Sequence, residues 1–195
     1  MGQYFHVCRI KKEKDGTAKT EEWMSAHDYG GGIKLMEHSW MKNDFVGHVE
    51  SLLIKGMAWH KQPLVWAGDY ADEESDIPDE KGNKLNLYGM CEDETRIKPD
   101  HKLLSDAIIE GGIYNYLVNH DKKEFVDKSK VPVDTEGWQI HPLPILTCEG
   151  NGNGNGDFRG KNELIGCWSR DRISIEKEIP KGFKEVIFDL TKSLL

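Results

Sequence analysis

The chain has 195 residues, 37% of them hydrophobic and 31% charged, with a formal net charge of −8. Six Trp, six Tyr and six Phe exclude a disordered chain, and the length suits one buried core, so a single domain over residues 1–195 is expected. The acidic balance excludes a broad binder of the nucleic-acid backbone, which needs a basic footprint, yet leaves room for a small anion at a local site.

Gln3 to Ile10 is rich in aromatic and branched residues and predicts a strand, closed by a turn over Lys11 to Gly16. A second strand is expected around Glu22 to Ser25. Gly30, Gly31 and Gly32 then break the chain ahead of a helix from about Ile33 to Leu53. On a helical wheel Leu35, Met41, Phe45, Val46, Val49, Leu52 and Leu53 share one broad core face. His38 falls in the same arc and reads as a satisfied core histidine, while Glu37, Asp44 and His48 form a polar stripe on the flank. Leu64 to Ala67 is a short strand, followed by an acidic loop from Asp69 to Glu80. A shorter helix is expected from Asp100 to Glu110, stopped by Gly111 and Gly112.

Ile113 to Asn119 and Lys123 to Val126 predict a hairpin that turns near His120 and Asp121. Ile140 to Thr147 reads as extended, because Pro142 and Pro144 cannot sit inside a helix. A glycine–asparagine loop comes next, then strands at Leu164 to Trp168, Arg172 to Ile175 and Glu185 to Leu190. Together these predict an α+β fold, a mostly antiparallel sheet packed against one long and one short helix. A faint echo adds a pseudo-duplicated half-domain as an option: Tyr4, Lys11-Lys12-Glu13 and Trp66-Ala67-Gly68-Asp69 against Tyr114, Lys122-Lys123-Glu124 and Trp168-Ser169-Arg170-Asp171.

The loop is the most distinctive segment. Gly150, Asn151, Gly152, Asn153, Gly154, Asn155 and Gly156 alternate before Asp157. Both residue types tolerate positive φ, so successive N–H groups can turn inward and form an anion-binding concavity. Asp157 can then read a ribose hydroxyl and Arg159 a phosphate. The same composition also reads as a plain connection between strands. It is no P-loop, since no Gly-Lys-Ser/Thr follows, and no dinucleotide fingerprint, since a strand follows where a helix is needed. In Trp168-Ser169-Arg170-Asp171-Arg172, the ring can stack a base and Arg170 and Arg172 can grip a phosphate; Trp66 offers a second stacking face. The alternative is surface ion pairing around a core tryptophan.

Catalytic candidates are His27, Asp28, Glu37 and His48, with His27–Asp28 beside the glycines as a general base. Glu37, Asp44 and His48 have spacing that can hold a divalent ion, but such stripes are ordinarily solvated faces, and no metal or other cofactor is assigned. No Ser or Cys sits in a nucleophile elbow. The four cysteines (Cys8, Cys91, Cys148, Cys167) are far apart and form no C-x-x-C pair, which points to a reduced, cytoplasmic setting. No run approaches a membrane span, and the first residues lack the apolar stretch of a signal peptide.

Four segments carry a resemblance: Gly31-Gly32-Ile33-Lys34-Leu35-Met36-Glu37, Val118-Asn119-x-Asp121-Lys122-Lys123-Glu124-Phe125, the Asn-Gly repeat ending at Asp157, and Trp168-x-x-Asp171-Arg172-Ile173. Together they resemble a family of uncharacterised phage and bacterial hypothetical proteins. The resemblance implies a phage or prophage context and brings no activity with it. The leading expectation is a non-enzymatic protein that binds a small anionic ligand, such as a nucleotide, and in that context sequesters a host defence signal. Two alternatives stay open. One is a nucleotide-processing enzyme built on His27, Asp28, Glu37 and His48; the other is an acidic interaction or inhibitor protein that binds a basic partner through the acidic loop.

Overall fold

A computed structural model of the protein describes residues 3–74, 82, 84–100, 114–150 and 163–190. The loop residues 151–157, Arg159 and all of the expected second helix after Asp100 lie outside the described residues. Among the described residues there are nine strands, β1 (Phe5–Lys12), β2 (Ala18–Met24), β3 (Gln62–Gly68), β4 (Thr95–Arg96), β5 (Tyr116–Asn119), β6 (Glu124–Asp127), β7 (Cys148–Glu149), β8 (Arg172–Glu176) and β9 (Lys184–Glu185). Three α-helices accompany them among the described residues: α1 (Leu35–His38), α2 (Asp44–Leu53) and α3 (Pro142–Thr147). The strands form one sheet in the order β4-β2-β1-β3-β8-β5-β6-β9, with β7 added against β3. The longer registers, β1 with β2 and β3 and β5 with β6 and β8, are antiparallel; the parallel pairs are two-residue contacts. The fold is therefore α+β with a mostly antiparallel sheet.

Period-two alternation sorts the core onto the two faces of this sheet. Phe5 and Val7 of β1 and Leu64 and Trp66 of β3 join the larger cluster, together with Phe45, Val46, Val49, Leu52 and Leu53 of α2. Cys8 and Ile10 of β1 and Val65 and Ala67 of β3 face the other way, onto Trp23, Leu87 and Cys91. A bulge interrupts the β1–β2 register: Arg9 pairs with Glu22 and Ile10 with Thr20, so Glu21 is the extra residue. That insertion aims two carboxylates at one guanidinium, and Arg9 donates to both Glu22, at 2.8 Å, and Glu21.

Several expected elements come out differently. The helix from Ile33 to Leu53 is broken into α1 and α2. Ser39 Oγ bonds back to Leu35 O at 2.6 Å, Lys42 takes φ +66°, and Asn43 Oδ1 caps the N–H groups of Phe45 and Val46. Trp40 is also drawn into a bridge with Ile140, which a continuous helix would forbid. The expected core face otherwise holds, with Leu35, Phe45, Val46, Val49, Leu52 and Leu53 all buried.

The extended reading of Ile140 to Thr147 is replaced by α3. Pro142 and Pro144 both fall in its first turn, where N–H groups have no partner within the helix, and His141 Nδ1 caps Leu143 N at 3.1 Å. Its Nε2 lies 3.0 Å from Glu50 Oε1, which also accepts from Lys128 Nζ at 2.5 Å, so one carboxylate ties α2 to α3 and to the end of β6. Burial works to raise the Glu50 pKa, but the charges of Lys128 and His141 prevail and hold it at about 2. The strand expected over Leu164 to Trp168 is a series of turns, and the last strand shrinks to Lys184–Glu185. The internal echo also stops short of the fold: Trp66 lies within β3, whereas Trp168 lies in the turns ahead of β8.

Candidate functional site

Two of the segments quoted for the resemblance turn out to be partners. Asn119 Oδ1 caps the β5–β6 turn by accepting from Asp121 N and Lys122 N, while its Nδ2 donates to Asp171 Oδ2 at 2.8 Å. Asp121 accepts from Arg172 N at 2.8 Å and Arg172 Nε at 2.7 Å. Lys122 Nζ donates to Cys167 O, and Trp168 Nε1 donates to Glu124 Oε2 at 2.9 Å. Residues 119–124 and 167–172 thus form one polar lock across β5, β6 and β8.

That lock leaves the expected ligand groups unequally available. Trp66 and Trp168 are each 0% exposed, so the stacking faces expected of both rings lie in the core. Arg170 is likewise used within the fold. Its Nε donates to Glu149 Oε2 at 2.7 Å, and its terminal nitrogen bonds both Glu149 and Glu74. Glu149 also accepts from Ser169 Oγ at 2.7 Å, and Glu74 from Ala18 N at 2.9 Å. Hydrogen bonds donated to Glu149, set against burial, raise the Arg170 pKa further. Gly150 has a packing reason of its own: a Cβ there would sit 2.1 Å from Gln3 Oε1. Arg172 differs from Arg170, since its side chain is about half exposed (52%) and Asp121 engages it through Nε.

The catalytic candidates do not converge. His27 is exposed in a 3-10 helical turn, Ala26–Tyr29. Asp28 is held by Arg96 through two bonds of 2.8 Å, with Lys98 3.5 Å away. Glu37 caps its own helix by accepting from Lys34 N at 3.0 Å. With the helix broken, Glu37 stands on α1 while Asp44 and His48 stand on α2, and among the described residues no cluster of three metal-ligating side chains forms. His48 is fully buried. Its Nδ1 meets the Tyr29 hydroxyl, and its Nε2 has no partner among the described residues. Burial lowers the His48 pKa against the opposing charge of Asp100, and burial followed by the Asp28 and Asp100 charges raises that of Tyr29.

His38 occupies the place expected of a satisfied core histidine. Its Nε2 accepts from Trp66 Nε1 at 2.9 Å and its Nδ1 lies 3.0 Å from Gly32 O. The indole can only donate and the carbonyl only accept, which fixes the proton on Nδ1. Burial holds the His38 pKa down to about 4, so the ring is neutral at pH 7.

A cationic face, not legible in the motifs, gathers around His120. Its backbone N–H donates to Arg172 O at 2.9 Å, and Lys61 N donates to Ile173 O at 2.9 Å, which brings the residue ahead of β3 beside the start of β8. Lys122 and Lys123 occupy the neighbouring turn, where Lys184 N donates to Lys123 O at 2.9 Å. Burial tends to raise the Asp121 pKa, but the bonds from Arg172 and the Arg172 and Lys12 charges outweigh it and lower the value. Lys12, Lys61, Lys122, Lys123, Arg172 and Lys184 are all exposed. Lys12, Lys61, Lys123 and Lys184 form no ion pair among the described residues.

Ser174 Oγ donates to Glu176 Oε1 at 2.7 Å, so at 2.7 Å from His120 Nε2 it accepts the imidazole proton. Burial and then the Lys61 charge hold the His120 pKa down to about 4. Lys61 and Lys123 are further set apart by φ of 57° and 55°, a region where glycine is at ease and a lysine costs roughly 1 kcal/mol.

No family model, curated protein or solved structure matches this chain. Among the described residues no helix is long and apolar enough to cross a membrane.

Proposed function

We propose that this protein binds a small anionic ligand of the nucleotide class, in the cytoplasm, on the cationic face around His120. One observation carries the reading. A chain of net charge −8 collects exposed cations from the end of β1, the start of β3, the β5–β6 turn and the start of β8 on one face, against their mutual repulsion. The left-handed backbone at Lys61 and Lys123 supports it, because strain kept at two amines of one face is what a ligand clamp would require. Of the arginines expected at the site, Arg172 remains in this reading. Sequestering a signalling nucleotide is the form the function takes in a phage setting.

The test is isothermal titration with inorganic phosphate, nucleoside mono-, di- and triphosphates and cyclic dinucleotides. Lys61→Gly with Lys123→Gly should weaken binding about tenfold or more while leaving the fold as stable or slightly more so. Absence of heat with every member of the panel refutes the reading.

A second reading has one observation behind it, the unpartnered Nε2 of His48 next to the Tyr29 hydroxyl. A histidine–tyrosine pair of this kind can relay a proton, which is the chemistry of a nucleotide-processing enzyme. Intact ligand recovered by mass spectrometry after incubation with the protein counts against it.

A further inference from the structure

Cys8 and Cys91 are 83 positions apart in sequence, yet their sulfurs lie 3.5 Å apart. Both are buried, at 0% and 2% exposure, in the smaller cluster on the sheet face away from α2. Cys8 belongs to β1, which is hydrogen-bonded on both sides, with Cys8 opposite Trp23 of β2 and Val65 of β3. Cys91 belongs to a 3-10 turn, Gly89–Asp93, anchored by Cys91 N to Tyr88 O at 3.1 Å and by the Asn86 side chain, which caps Gly89 N at 2.9 Å. The turn is held further by Met90 N to Asn86 O at 3.1 Å, by Glu94 N to Cys91 O at 3.4 Å and by the Cys91 thiol to Leu87 O at 3.4 Å, so the two sulfurs are presented by a fixed strand and a short, hydrogen-bonded turn. Cys148 sits elsewhere, with its thiol directed at Ile145 O at 3.2 Å.

We propose that Cys8 and Cys91 are a redox pair that closes into an intramolecular disulfide when the protein meets a peroxide. A disulfide needs the sulfurs to approach to about 2.05 Å, a contraction of roughly 1.5 Å that rotation of the Cys91 side chain and a small shift of its turn supply. One thiol, as thiolate, attacks a peroxide oxygen and becomes a sulfenic acid as the O–O bond breaks and hydroxide leaves, taking up the released proton as water. The second thiol attacks that sulfur, the S–O bond breaks, and a second water departs. In sum two thiols and one hydrogen peroxide give one disulfide and two waters. The shared hydrogen bond with Cys8, followed by burial, raises the Cys91 pKa, so closure is slow and follows local opening of the turn. The bond latches residues 89–93 to the central strand and closes a chain segment of more than 80 residues.

The experiment treats the full chain with hydrogen peroxide under native conditions, blocks free thiols and maps peptides without reduction. The expected result is loss of two of the four thiols, a Cys8–Cys91 cross-linked peptide that dithiothreitol reverses, and a thermal midpoint raised by several degrees. A Cys148→Ser, Cys167→Ser double variant should retain the cross-link, and Cys91→Ala should abolish it while remaining folded by circular dichroism. Four thiols retained, or oxidation confined to Cys167 or Cys148, overturns the proposal. So does a cross-link that forms only after denaturation.

Discussion

Replacing Arg170 by alanine tests whether this arginine belongs to the fold. The side chain is 25% exposed and bonds two carboxylates, Glu74 at 6% exposure and Glu149 at 22%. Removing it leaves both acids uncompensated in a partly buried site, a loss of about 3–5 kcal/mol for a buried pair, with the lower end expected because Glu149 reaches solvent. Arg170 also holds φ +67°, so Arg170→Gly should cost roughly 1 kcal/mol less than Arg170→Ala. The pH dependence has a definite sign. Burial pushes the Glu149 pKa up, but the bonds and charge of Arg170 prevail and lower it. Its contribution is therefore present above the ordinary value of 4.5 and lost as pH falls through the lower folded value. Urea unfolding followed by tryptophan fluorescence should show wild type and Arg170→Ala far apart at pH 7 and converging in acid. A difference below about 0.5 kcal/mol at pH 7, or one that persists undiminished at pH 3, refutes the clamp.

His38 should make the fold acid-sensitive. Its pKa lies at about 4 in the folded chain and 6.5 unfolded, so its stabilising contribution is complete above 6.5 and falls away on acidification toward 4, by about 3 kcal/mol in all. His38→Gln, which can still accept from Trp66 and donate to Gly32 O, should flatten that slope in urea titrations between these pH values. An unchanged slope places the sensitivity elsewhere. Gly166 has φ +70°, and a Cβ there would lie 2.6 Å from Cys148 O, so Gly166→Ala should lower stability by more than about 2 kcal/mol. Asp121→Asn keeps an acceptor for Arg172 but removes the charge holding it; on the cationic-face reading, affinity for the anion panel should rise severalfold, with unchanged or weaker binding counting against it.

Much of the candidate chemistry looked stronger in one dimension than in three. The aromatic–arginine run Trp168 to Arg172 reads as a ligand grip because its residue types are those that recognise nucleotides. Such side chains serve equally well to satisfy buried carboxylates, and only the arrival of Glu124, Glu149, Glu74 and Asp121 from other segments decides which use prevails. The Glu37, Asp44, His48 stripe needed a continuous helix, and the signals that end it, Asn43 before Asp44 and Ser39 four residues after Leu35, are local ones a closer reading of caps would catch. His120 and Lys61 carried no motif. They are 59 positions apart and meet only because β3 and β5 both pair with β8.

What the sequence determined by itself was the part governed by neighbouring residues. Runs of aromatic, branched and apolar residues bounded by turn residues pointed to β1, β3, β8 and the β5–β6 hairpin, and helical spacing specified the buried side of α2, because these signals need only neighbouring residues. The α+β class and the satisfied core role of His38 followed from the same patterns. Tertiary structure decided what depends on partners far along the chain: the capped helix made from a proline-bearing segment, the consumption of Arg170, the gathering of lysines around His120 and the meeting of Cys8 with Cys91. Sheet order sets which segments lie side by side and which face they share, and neither is encoded in any one stretch of residues.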